Sequence, residues 1–198
     1  MRSILSTRYP KEEVSVKSQA SRSKTSPTRR ERTRQSRQDR RKIALGTAAI
    51  VGACAAVGTL LTDPENSWYK SLRKPDWQPP AAAFPIVWTA LYADIAYVSY
   101  KVLTDAHARK DTAEFKSYSR ALGTNLALNA AWCGLFFRGE RPVVSTVEAG
   151  ALAMSSIDLV RRAGKSHPGL GLLLSPYAVW TSGATALSGA IAALNPGK

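Results

Sequence analysis

The chain is short of the residues that staple small scaffolds together, with 2 Cys and 2 His among 198 residues. That excludes a disulfide framework and a Cys/His zinc module. Acid is scarce too: 14 Asp/Glu stand against 28 Lys/Arg, a formal net charge of +14. Strand-length alternation of apolar and polar residues is missing, which excludes a β-barrel. The chain contains no phosphate-binding loop, nucleophile elbow or HExxH, so the usual signatures of nucleotide hydrolysis, acyl transfer and zinc proteolysis are lacking. The excess of base would suit a soluble nucleic-acid binder, but it is unevenly placed.

Residues 1–42 hold 14 of the Lys/Arg, 4 acids and one aromatic, Tyr9. They show no apolar periodicity. Such a segment buries too little surface to offset chain entropy and is expected to be a disordered basic tail. The character changes at Ile43, which opens 19 residues without charge to Leu61. A membrane span needs about 20 mostly apolar residues. Further candidates are Ala81–Leu103, Ala121–Phe137, Pro142–Val160 and Pro168–Asn195, the last with 28 uncharged residues. Ordinary core helices average about 11–12 residues, so a soluble all-α protein is the weaker reading. The expected fold is an all-α, five-helix transmembrane bundle over residues 43–198.

Orientation follows the Lys/Arg bias. The tail and the connections on its side carry 22 Lys/Arg; the other side carries 6. The N-terminus is therefore expected in the cytoplasm if the chain inserts in a bacterial plasma membrane. An Arg/Ser-rich, acid-poor start also fits an organellar transit peptide. A solvated topogenic tail, contact with anionic lipid and contact with nucleic acid remain open for it; no specific nucleic-acid partner is expected.

The densest chemistry lies between the first two spans, in Ser67-Trp-Tyr-Lys-Ser-Leu-Arg-Lys-Pro-Asp-Trp-Gln-Pro-Pro80. Three prolines fix φ and remove donors, so a stiff, non-helical loop is expected. An aromatic belt at the membrane interface explains Trp68 or Trp77 singly; a lid over the bundle explains the cluster better. Within the spans, Trp88 and Tyr92 share a face, as do Asn125, Asn129, Trp132 and Phe136, and Tyr177 and Trp180. An unpaired amide in hydrocarbon costs several kcal/mol, so Asn125 and Asn129 must point inward. They either bond across helices or line a cavity.

Small residues recur every four positions at Ala48, Gly52 and Ala56, and at Ala184, Ser188 and Ala192. Either stripe serves intrachain packing or dimerisation. Asp94 and Glu148 are intramembrane acids, while Asp158 belongs with Arg161 and Arg162 at the interface. Pro176 is expected to kink the last span. No residue is assigned to catalysis, and no metal site is expected.

Together these residues resemble the TspO/MBR family of tryptophan-rich sensory and translocator proteins, over about residues 43–195. Trp68-Tyr69 with Lys74-Pro75-x-Trp77-x-Pro79-Pro80 resembles its first loop. Phe84-Pro85-x-x-Trp88-Thr89-x-Leu91-Tyr92 is similar to its second-helix signature. Asn125-x-x-Leu128-Asn129-x-x-Trp132 with Phe136-Phe137 and Pro142, and Leu174-x-Pro176-Tyr177-x-x-Trp180, resemble its third and fifth helices. The resemblance implies a membrane bundle, often a homodimer, with a ligand cavity under the first loop. Trp68, Tyr69 and Pro79 would form the lid. Trp88, Tyr92, Asn125, Asn129, Trp132, Tyr177 and Trp180 would contribute to the pocket. The implied ligands are tetrapyrroles such as protoporphyrin IX or haem, and the implied role is sensory or regulatory. Light-dependent porphyrin degradation and transport are the alternatives. Two departures count: Ser188 stands where many members have Asn, and Ile191–Lys198 lacks the Tyr-then-Lys/Arg steroid motif, which speaks against cholesterol.

Overall fold

The computed structural model describes residues 28–197. Among them are six α-helices, one π-helical turn and no strand. The first, α1 (Arg29–Leu61), starts at a capping box. The Thr28 hydroxyl accepts from the Glu31 backbone N–H at 3.3 Å, and the Glu31 carboxylate accepts from the Thr28 N–H at 2.6 Å.

This corrects the expected tail. Arg29–Lys42 is helix continuous with the first apolar segment; residues 1–27 lie outside the described residues. Starting a helix is costly while extending one is not. The packed apolar half therefore serves as nucleus, and Arg, Gln and Lys are good helix formers. The helix runs back until the Thr28 cap stops it. His107 Nε2 lies 3.4 Å from Asp39 Oδ2 and joins this extension to α3. Thr28→Ala is expected to cost about 0.5–2 kcal/mol locally. Faster amide exchange confined to Arg29–Lys42 checks it.

The first loop also differs from expectation. It contains a short helix, α2 (Ser67–Ser71), capped by Asn66, whose side chain accepts from the Trp68 N–H at 2.8 Å. Within Ser67–Pro80 the prolines begin only at Pro75, so they restrict the chain beyond α2 and leave α2 itself free to form. This sixth helix is why the count exceeds the five expected. Then come α3 (Ala83–Ala108), α4 (Thr112–Cys133), α5 (Pro142–Ser166) and α6 (Pro168–Leu194). Asp111 caps α4, accepting from the Glu114 N–H at 2.8 Å. Beyond Cys133 the helix widens into a π turn, Gly134–Arg138. Pro176 lies inside α6, which continues through it. By length and composition, α1 and α5 each suffice to cross a membrane.

The core joins α3, α5 and α6 through Ile95, Val98, Val102, Leu159, Leu174 and Tyr177, all at 0 % exposure, and α4 enters it through buried Tyr118, Leu122 and Leu126. The outside is apolar as well: Leu60, Ile86, Val147, Met154, Leu172 and Val179 are exposed. That pattern suits lipid as the surrounding solvent.

The two small-residue stripes separate. Thr47, Val51, Cys54 and Gly58 form the buried face of α1, leaving Ala48, Gly52 and Ala56 exposed. On α6, Ser188 is buried and the next residue, Gly189, approaches Thr146 of α5. Helices α5 and α6 pack most extensively, as a hairpin joined by His167 alone. A Cβ on Gly171 would stand 2.7 Å from the Gly164 Cα and 3.1 Å from the Val160 carbonyl oxygen. Both are backbone atoms that cannot rotate away. Gly171→Ala is therefore expected to cost about 1–3 kcal/mol. Gly183→Ala, with nothing within 4 Å, should leave the thermal midpoint unchanged or raised, and a melting comparison of the two checks this.

Candidate functional site

The interior is tied together by a chain of polar groups. The Tyr92 hydroxyl on α3 donates to Asn129 Oδ1 on α4 at 2.8 Å. Asn129 Nδ2 donates to the Tyr177 hydroxyl on α6 at 3.4 Å. That hydroxyl donates to Asn125 Oδ1, one turn back on α4, at 2.8 Å. Asn125 Nδ2 reaches Ser156 Oγ at 3.1 Å and Ser155 Oγ at 3.3 Å, both on α5. The Cys54 thiol of α1 donates to the Leu126 carbonyl at 3.3 Å and lies 3.6 Å from Asn129 Oδ1. All five long helices meet here. Asn125 is 0 % and Asn129 2 % exposed. Of the two roles left open for them, the structure gives the bonds across helices.

Aromatic rings border this network. Trp88 lies 5.4 Å from Tyr92 and 6.4 Å, edge-on, from Tyr177. Phe84 meets Trp180 edge to face at 5.9 Å. Trp88, Tyr92 and Trp180 are half-buried, so parts of their surfaces remain open.

The other predicted residues form a second group. Trp132 stacks on Phe136 at 5.1 Å and 11°. Trp68 and Tyr69 lie edge-on to Phe136 at 5.7 and 6.0 Å. The stripe expected as one face of α4 thus divides: its Asn pair enters the polar network, and Trp132 and Phe136 carry the first loop. Pro79 is half-buried in the connection between α2 and α3 and belongs to neither aromatic group.

Anchors of that loop are not legible in the sequence. Asn195, at the end of α6, accepts from the Arg73 N–H at 2.9 Å and donates to the Arg73 carbonyl at 2.8 Å. Asn66 Nδ2 donates to the Phe137 carbonyl at 3.3 Å. The Lys74 ammonium sits 3.9 Å from the centre of the Tyr69 ring, a cation–π contact. Burial pushes the Tyr69 phenol above its ordinary value, against a hydrogen bond involving Gln78 that pulls it down. Ser155, Ser156, Cys54 and Phe84 join the site without having been expected there. Only the position of Phe84, one turn before Trp88, could have pointed to it.

A model of the TspO/MBR family matches residues 45–194. The chain belongs to the TspO/MBR family. Tryptophan-rich protein TspO of Chlorobaculum tepidum is 31% identical over 159 residues, covering 78% of this chain and 99% of its own. The tryptophan-rich sensory protein of Cereibacter sphaeroides is 29% identical over 143 residues, covering 71% and 83%. Translocator protein of Ovis aries is 30% identical over 152 residues, covering 73% and 85%. The motifs of the first loop and of the second, third and fifth spans therefore identified the family correctly. TspO/MBR proteins are membrane proteins, which agrees with the apolar exterior of this one.

The TspO/MBR match begins at residue 45, so Arg29–Lys42 lies outside it. Among the described residues, no cluster of His, Cys, Asp and Glu is arranged to hold a metal ion. What the site offers chemically is flat ring surface over a fixed hydrogen-bonded floor.

Proposed function

We propose that the chain is an integral membrane protein that binds a tetrapyrrole, protoporphyrin IX or haem, and serves a sensory or regulatory role in tetrapyrrole handling and stress. The five long helices α1, α3, α4, α5 and α6 act as its spans. The Thr28 end faces the cytoplasm in a bacterial plasma membrane, or the equivalent side of an organelle membrane. The outward stripe of Ala48, Gly52 and Ala56 on α1 receives a second copy of the chain, since close helix approach favours small residues. Cholesterol is not part of this reading.

One observation carries the proposal: half-buried Trp88, Tyr92 and Trp180 border a polar network whose own bonds are already made. A porphyrin is a flat π-system. Stacking against indole adds about 0.5–1.5 kcal/mol per ring pair beyond the area buried. Arg73 and Lys74, in the connection above, supply positive charge for porphyrin carboxylates.

Titration of the detergent-purified chain with protoporphyrin IX in darkness tests the proposal, read by quenching of tryptophan emission. Trp88→Ala and Trp180→Ala are each expected to weaken binding about tenfold, equivalent to about 1.4 kcal/mol. Trp77→Ala, at a ring 57% exposed, should change it less than about twofold, or about 0.4 kcal/mol. Wild-type affinity in both pocket variants would remove these rings from the site. Repeating the titration under illumination separates binding from light-driven degradation, and flux in proteoliposomes tests transport.

A further inference from the structure

The end of the bundle opposite the first loop holds a cleft of about 420 Å³, where the α3–α4 connection meets the last turns of α5. Arg109, Arg161, Arg162 and Lys165 line it with Ser117 and Ser166. These six residues come from separate segments: the connection, the second turn of α4 and the end of α5.

Two carboxylates answer part of the charge. Glu114 pairs with Arg109, while Asp158 takes both Arg161 and Arg162. Four cations against two acids leave two positive charges in excess. Lys165 is absent from the ion pairs of the described residues. Arg162 Nη1 donates to Ser117 Oγ at 2.7 Å, which fixes that guanidinium between α5 and α4. Ser166 Oγ is buried and has no hydrogen-bond partner.

A bias of Lys/Arg to one membrane side accounts for cations at this end. It does not account for their convergence on one concavity, or for a buried hydroxyl left unpaired beside them. Buried polar groups normally find partners, and charge-assisted bonds to an anion are the strong way to satisfy both kinds of donor. We propose that this cleft binds a phosphate group, with Lys165 and Arg161 supplying charge and Ser166 a hydroxyl donor. The group is carried by a lipid headgroup or arrives as free phosphate. Arg162 is a positioning residue that holds the cleft wall.

The test uses the full chain in phosphatidylcholine nanodiscs. One arm titrates sodium phosphate at constant ionic strength. The other adds phosphatidylinositol 4-phosphate to the disc, and native mass spectrometry reads binding in both. Replacing Lys165→Gln with Arg161→Gln is expected to weaken binding about tenfold in whichever arm binds. The control, Lys116→Gln with Arg120→Gln, removes the same charge from the same side outside the cleft lining and should change affinity less than about twofold. Ser166→Ala, which alters no charge, should weaken binding about threefold and decides the matter if the double variant fails to fold. Saturation in the phosphate arm identifies free phosphate as sufficient; saturation in the lipid arm alone identifies the headgroup. No saturable binding in either arm, or equal losses for the cleft and control pairs, overturns the proposal.

Discussion

Tyr177→Phe is expected to lower the unfolding free energy by about 2–3 kcal/mol, although it removes a single oxygen atom. Tyr177 is 0 % exposed, and its hydroxyl both accepts from Asn129 Nδ2 and donates to Asn125 Oδ1. Taking it away strands a donor and an acceptor on α4, where neither lipid nor water can replace it. An orphaned buried polar group costs more than a made bond contributes. Tyr92→Phe provides the comparison. Tyr92 is only half-buried, and Asn129 Oδ1 keeps the Cys54 thiol nearby at 3.6 Å. Its loss should be about 1 kcal/mol. Denaturant unfolding of both variants in bicelles decides it. Equal small losses would show that the network relaxes around the gap and does not hold the helices in register.

Phe136→Ala should have the larger effect, about 3–5 kcal/mol. The ring is 2 % exposed and touches Trp68, Tyr69, Trp132 and Phe137. It stands in the π turn, where one extra residue widens the helix and redirects side chains. Removing it leaves a hollow under α2 and frees the first loop on one side. Asn195 still holds Arg73 on the other. Limited proteolysis should therefore cut between Trp68 and Pro80 much faster in Phe136→Ala than in the parent chain. Asn195→Ala is expected to speed cutting near Arg73 while costing only about 1–3 kcal/mol. Unchanged cleavage in Phe136→Ala would mean that the loop is held by other contacts.

The interior was legible in the sequence wherever a periodic pattern coincided with a solvent demand. Asn125 and Asn129 lie one helical turn apart in an apolar span, and hydrocarbon forces amides inward. Tyr177 and Trp180 show themselves by the same spacing. Their partners do not, because a serine in a helix carries no mark of what it faces; Ser156 accepts from Asn125 across 31 positions of chain. Arg29–Lys42 departs from expectation for a different reason. Its composition argues against burial, but order in a helix does not require burial. A helix anchored at one end needs only good formers and a cap, and the Thr28-x-x-Glu31 signature of that cap is present. The loop helix Ser67–Ser71 is masked by prolines that begin four residues after it ends.

The unbroken course of α1 has a mechanical consequence. From Arg29 to Ile43 is 14 residues, about 21 Å at 1.5 Å of rise each. If the apolar half stands in the bilayer, the basic half is a rigid mast. Arg40, Arg41 and Lys42 remain at headgroup height. Arg29 and Arg30 stand about two Debye lengths higher at 0.1 M salt, where the pull of charged lipid has largely died away. One run of like charge is thereby divided by altitude, its base bound to the surface and its tip answering to whatever moves through the water above.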